Sequence, residues 1–199
     1  PVAQEQPRAD DTASANDNDP LPQPDSAEGT VPEPTAEQQQ AQAPSPESQS
    51  GGSEQRIEVN TDVLSLEIDP LGGDIVRVAL PEYPRHAETP DQPFVLLEKD
   101  ASRTYVAQSG LVGKNGTDTA EGRPTWQAAQ ERYRLQEGDK ELNVDLTLSQ
   151  SGGVEIIKRY TFERGSYLVR VSHIVRNNSG ETWQGALYGQ IKRDGSEDP

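Results

Sequence analysis

Residues 64–83 read LSLEIDPLGGDIVRVALPEY. Leu64, Leu66 and Ile68 recur at every second position, with Ser65 and Glu67 between them. A break follows at Asp69-Pro70-Leu71-Gly72-Gly73-Asp74, and then a second run that carries Ile75, Val76, Val78 and Leu80. Period-two alternation is the signature of a strand with one buried face. The break supplies residues that tolerate the positive φ of a tight turn. The stretch therefore predicts two strands joined by a turn. Leu64, Leu66 and Ile68 share the inner face of the first strand. In the second, Val76, Val78 and Leu80 face opposite to Ile75 and Arg77.

The same period extends outward. Strands are predicted at 56–60, 105–112, 132–136, 141–150, 154–163, 167–177 and 182–193, with a short apolar run at 94–97. Val, Ile, Tyr and Thr are enriched in them, as suits a half-buried pleated surface. Glu137-Gly138-Asp139, Ser151-Gly152-Gly153, Arg164-Gly165-Ser166 and Asn177-Asn178-Ser179-Gly180 punctuate the chain with turn chemistry. The last three turns join long strands at close spacing, which predicts an antiparallel meander, since parallel strands need longer crossovers. Residues 81–93, with four prolines, and 113–130, rich in Gly, Asn, Thr and Asp, are predicted connections. No helical period persists, and the expected fold class is all-β, a sandwich or barrel-like arrangement.

Composition changes near residue 55. Residues 1–54 contain no Ile, Phe, Tyr, Trp or Met, hold nine of the 16 prolines, and carry eleven acidic residues against Arg8 alone. Such a segment buries too little apolar surface to offset the entropy of ordering, so it is expected to be a disordered, acidic linker rich in Pro, Gln and Glu. Residues 55–199 hold all ten aromatic residues, enough length for one core, and 23 acidic against 17 basic residues. That balance argues against nucleic acid, which demands clustered Lys and Arg. The longest apolar run, Phe94-Val95-Leu96-Leu97, is far short of the roughly 18 residues of a membrane span. The start at Pro1 and the end just after a predicted strand are read as marks of a soluble fragment cut inside its domain.

Candidate chemistry is sparse. The absence of cysteine excludes disulfides and thiolate sites. His86 lies in the proline-rich connection and is expected to be solvated. His173 is in register with Val169, Val171 and Val175, which makes it a satisfied core or half-buried histidine. Neither has a second ligand at metal spacing. Gly72-Gly73 lacks the Lys-Ser/Thr and the following helix of a phosphate loop. Asp69 and Asp74 fall in a turn, where Asp serves the backbone. No catalytic residue, cofactor site or metal site is assigned. Trp126, beside Pro124, is the one candidate for a groove or partner surface, because an exposed Trp on a β-sandwich can line a sugar or peptide groove.

Several short motifs, in order, carry a resemblance: Thr61-Asp62-Val63-Leu64; Gly72-Gly73-Asp74 with Leu80-Pro81-x-Tyr83; Pro93-Phe94-x-Leu96-Leu97; Tyr105-x-Ala107-Gln108-Ser109-Gly110-Leu111; and Tyr188-Gly189-Gln190. Over residues 57–193 the chain resembles the N-terminal part of the large periplasmic domain of the YidC-type bacterial inner-membrane protein insertases. The preceding segment resembles that family's low-complexity tether. The resemblance implies a twisted antiparallel β-supersandwich of galactose-mutarotase-like fold, truncated here, on the periplasmic side of the inner membrane. It also implies a membrane-embedded parent that inserts, folds and assembles membrane proteins, alone or with the Sec translocon. Its partners would be Sec subunits and nascent membrane proteins. The expected role of this piece is that of a non-catalytic interaction domain. The alternative is a carbohydrate-binding or aldose-epimerase-like β-sandwich domain, which rests on the all-β pattern and Trp126.

Overall fold

The computed structural model describes residues 56–196; the segment read as an acidic linker, 1–54, lies outside them. Among the described residues there are eleven strands: β1 (Ile57–Asn60), β2 (Ser65–Asp69), β3 (Asp74–Pro84), β4 (Pro93–Lys99), β5 (Thr104–Val112), β6 (Gln127–Ala128), β7 (Arg132–Arg134), β8 (Glu141–Gln150), β9 (Val154–Glu163), β10 (Val169–Asn177) and β11 (Ala186–Arg193). No helix among them is long and apolar enough to cross a membrane. The strands form two sheets, ordered β11-β5-β4-β3-β2-β1-β7 and β10-β9-β8-β6. The fold is all-β, a sandwich, as the period-two pattern predicts.

The alternation of β2 works as expected. Leu64, Leu66 and Ile68 are buried, and Leu66 lies opposite Val59 on β1 and Val78 on β3. From the facing sheet, Val144, Leu146, Ile156, Tyr160 and Phe162 complete one core. Each large apolar side chain removed from water this way contributes about 1.5–3 kcal/mol.

Four expectations are corrected. First, β3 does not keep strict alternation. Glu67 pairs with Arg77 but Ile68 with Ile75, so Val76 is an extra residue and the register shifts. The bulge turns Ile75 into the core beside Val78, while Val76 is buried on the other face. Second, the proline-rich stretch is a hairpin arm. Pro84 pairs with Pro93, and Arg85 N donates to Gln92 O at 2.8 Å. Beyond Ala79, β3 has lost β2 as a partner, so Pro81 and Pro84 leave no ladder donor missing there. Third, the meander holds only through β8-β9-β10; β11 crosses to the other sheet and pairs with β5 from Ala186↔Val112 to Arg193↔Tyr105. Fourth, one pairing is parallel, Glu58↔Arg132 through Asn60↔Arg134, which is possible because a long stretch of chain separates β1 from β7.

Candidate functional site

The turn Pro70–Gly73 and the long connection after β5 are joined by main-chain hydrogen bonds. Gly72 N donates to Pro124 O at 2.8 Å and Trp126 N to Pro70 O at 2.9 Å. Gly72 has φ +76°, and a Cβ there would stand 2.5 Å from the Arg123 guanidinium carbon, so only glycine fits. This docking brings Arg123 between two carboxylates. Its Nη1 pairs with Asp74 Oδ2, its Nε with Asp118 Oδ1 at 2.6 Å, and its Nη2 donates to Gly72 O at 3.1 Å and Ser109 O at 2.9 Å. Asp118 also accepts from Thr117 Oγ1 at 2.8 Å and Tyr188 Oη at 2.9 Å, so β11 is tied into the cluster. Gly110 on β5 leaves room for the Asp118 carboxylate, which a Cβ would strike.

A second cation enters from the opposite sheet. Lys158 on β9 is 0% exposed, and its Nζ donates to Ser109 O at 2.8 Å and to Gly72 O at 3.1 Å. Tyr160 Oη donates to Gly73 O. Burial opposes the charge of Arg123, but Asp74 and Asp118 outweigh it and raise its pKa. Lys158 has no such direct carboxylate bond. Burial pushes its ammonium down to about 8, with Asp74 pulling the other way. Tyr160 is raised, chiefly by burial. Between pH 8 and Lys158's ordinary 10.5 the unfolded chain binds a proton that the folded one does not, so stability should rise with pH there. Tyr160 opposes this above its ordinary value of 10.0. Urea midpoints taken every half unit from about pH 8 to 10 should therefore climb, and the climb should vanish in Lys158→Met. Parallel curves for the two proteins would place the amine elsewhere.

Trp126 is not on a surface. It is 3% exposed and belongs to the core. The bonds of Trp126 N to Pro70 and of Gly72 to Pro124 fold its segment inward, and the isolated bridge Leu71↔Thr125 fixes that turn. Its ring meets His173 edge-on at 6.4 Å. His173 is half-buried on the apolar face of β10, directly across from Lys158, but among the described residues neither ring nitrogen finds a hydrogen-bond partner, nor does Trp126 Nε1. His86 is exposed. Asp69 serves its turn, accepting from Leu71 N at 2.9 Å, whereas Asp74 is a buried ion-pair member.

Sequence reasoning missed Lys158, although its signal was present. It stands in register with Val154, Ile156, Tyr160 and Phe162, and a lysine on an inward face demands acceptors. Asp118 and Arg123 had no such signal, because they come from irregular chain.

Two of the four edge strands, β10 and β11, form the other notable feature. Lys158 of β9 reaches the Ser109 carbonyl of β5, so these strands face each other, and β10 and β11 are their outward neighbours. Leu187 and Ile191 pair with Leu111 and Ala107 and so point to the inner side, yet they are 63% and 61% exposed. Leu168, Tyr167 and Tyr83 add exposed apolar surface near the β9–β10 turn, with the two tyrosine rings edge to face at 6.0 Å. A cleft of about 360 Å³ at that end is lined by Asp62, Arg134, Leu135, Glu137 and Arg164 among others, charges of both signs. Among the described residues, no group of three or more His, Cys, Asp or Glu residues is placed to hold a metal.

These features define a β-sandwich domain with a buried ion network joining its sheets and apolar side chains left open along two edge strands. The chain belongs to the YidC periplasmic domain family, which matches residues 56–199. That assignment places it on the periplasmic side of the bacterial inner membrane. It is 71% identical over 152 residues to a membrane protein insertase YidC of Alcanivorax borkumensis, covering 76% of this chain and 26% of the relative. A namesake from Stutzerimonas stutzeri is 51% identical over 150 residues, covering 75% and 27%. Another, from Cellvibrio japonicus, is 52% identical over 138 residues, covering 69% and 25%. The chain thus spans about a quarter of the length of the curated relatives it matches.

Proposed function

We propose that this domain is a non-catalytic interaction module of an insertase that inserts, folds and assembles inner-membrane proteins, alone or with the Sec translocon. The observation that carries it is the pair of edges open among the described residues, above all Leu187 and Ile191 on the inner side of β11. An edge strand offers unpaired backbone groups, and apolar side chains beside it give an extended segment something to pack on. The buried Arg123 cluster supports rigidity rather than turnover: its charged groups face each other and main-chain carbonyls, and nothing in it resembles a nucleophile with its base. Residues 1–54 serve, in this reading, as an acidic linker to the rest of the protein. The carbohydrate alternative loses its residue, since Trp126 packs in the core.

Site-specific photocrosslinking in the intact insertase tests the proposal. Probes along 167–177 and 182–193 should trap a Sec subunit or a nascent membrane protein. Adducts confined to the insertase's own polypeptide, or none at all, would overturn it.

A further inference from the structure

We infer that β10 is an acid-loosened edge strand: the imidazolium of His173, which lies across from the buried Lys158 ammonium, is refused by the docked strand, so acid weakens the hold of β9 on β10 and favours opening of the sandwich along that edge.

The geometry is specific. On the inner face Val171 lies opposite Tyr160, His173 opposite Lys158 and Val175 opposite Ile156. Among the described residues, β10 has β9 as its sole sheet neighbour. Directly opposed side chains stand about 4.5–5.5 Å apart at Cβ. A neutral imidazole can occupy such a place at modest cost. An imidazolium cannot: it would be a second cation against Lys158, with two N–H donors where neither nitrogen has an acceptor. The groups that face it offer no relief. Lys158, from β9, repels it, and the Trp126 ring at 6.4 Å presents an indole whose own N–H is unpartnered. Asp118, from the connection after β5, attracts it, but that carboxylate already accepts from Leu111 N, Thr117, Arg123 and Tyr188. On the solvent side of β10, Arg170 and Arg176 pair with Glu163 and Glu155 of β9 at 2.9 and 2.8 Å. These two ion pairs tie the strand to β9 from its outer face.

The sign follows from linkage. Burial first, then Lys158, holds His173 down at about 4, against an ordinary 6.5, with Asp118 pulling upward. Above 6.5 the docked and released strands are both neutral and pH has no effect through this group. As pH falls from 6.5 toward 4 the released strand takes up a proton that the docked one refuses, so docking weakens. Between pH 8 and pH 5 the released population should grow on the order of 30-fold. Release uncovers Ile156, Tyr160 and the free ladder of β9, an apolar strand acceptor that neutral conditions conceal.

Amide exchange on the full 199-residue chain tests this, corrected for intrinsic rates and read at pH 8 and pH 5. The β10 amides should lose roughly 30-fold protection, while the β1–β2 and β8 amides keep theirs. In His173→Gln the difference between the two pH values should vanish. Unchanged β10 protection, an equal loss in all strands, or a loss that persists in the variant would each overturn the inference. Should the variant not fold, the parent chain decides: a His173 ring midpoint near 6.5 overturns the inference, and a midpoint well below it together with β10 amides that alone lose protection as pH falls upholds it.

Discussion

Arg123→Ala should lower folding stability by roughly 3–5 kcal/mol, the cost of breaking a buried ion pair from one side. Arg123 neutralises two carboxylates whose side chains are only 7% and 1% exposed, Asp74 and Asp118. Asp74 Oδ1 is already buried without a partner, so the loss of the guanidinium would leave this carboxylate dependent on Gln108 Nε2 at 2.6 Å. Lys158 cannot move over to replace Arg123, because it is bound to the Gly72 and Ser109 carbonyls. Arg123→Lys should recover only part of the loss. A lysine keeps the charge but not the fork that reaches two carboxylates and two carbonyls at once. Urea unfolding at neutral pH gives the comparison. A change below about 1 kcal/mol would mean that water enters and solvates Asp74 and Asp118, and the cluster would then be a surface feature.

Trp126→Ala should cost a comparable amount, about 3–5 kcal/mol, as for other buried Trp-to-Ala changes. The ring lies in the core between the Gly73 turn and His173, and a Cβ on Gly73 would already meet Trp126 Cδ1 at 3.2 Å. Its removal opens a cavity where both sheets converge, and little can collapse into it because Lys158 and Leu146 are pinned on the far side. The effect should appear in the unfolding midpoint and not in any partner's affinity measured well below that midpoint. A variant of normal stability with weakened partner binding would restore Trp126 to a surface role.

Much of this fold was legible because alternation is a local property. The runs at 141–150 and 154–163 give β8 and β9 with the bounds the structure shows, and Leu64, Leu66 and Ile68 point inward as their spacing requires. What was not legible depends on distant partners. The choice of β5 rather than β10 as the neighbour of β11 is made by residues about 80 positions apart, and no local pattern records it. The Val76 bulge and the strand character of Pro81 and Pro84 likewise depend on where β2 stops. The ion cluster hides for another reason. Its two cations come from a strand and a loop, and its carboxylates from the first residue of β3 and that same loop, so no spacing rule unites them. Trp126 looked exposed because it lies in a connection beside Pro124, yet main-chain bonds from Trp126 N to Pro70 O and from Gly72 N to Pro124 O turn its segment inward.

The crossing of β11 also sets an order of events. Among the described strands β5 precedes β11 by about 80 residues, so β5 lacks this partner until Ala186–Arg193 arrives beside Thr104–Val112. Closing so long a loop carries an entropic cost that local hairpins such as β8–β9 escape, so the four-stranded sheet can assemble first and the larger one must wait. A chain emerging from its N-terminus across a membrane would hold β5 half-paired throughout that interval. Until then the Asp118 carboxylate, which sits over Gly110 in the folded chain, lacks the bond it accepts from Tyr188 of β11.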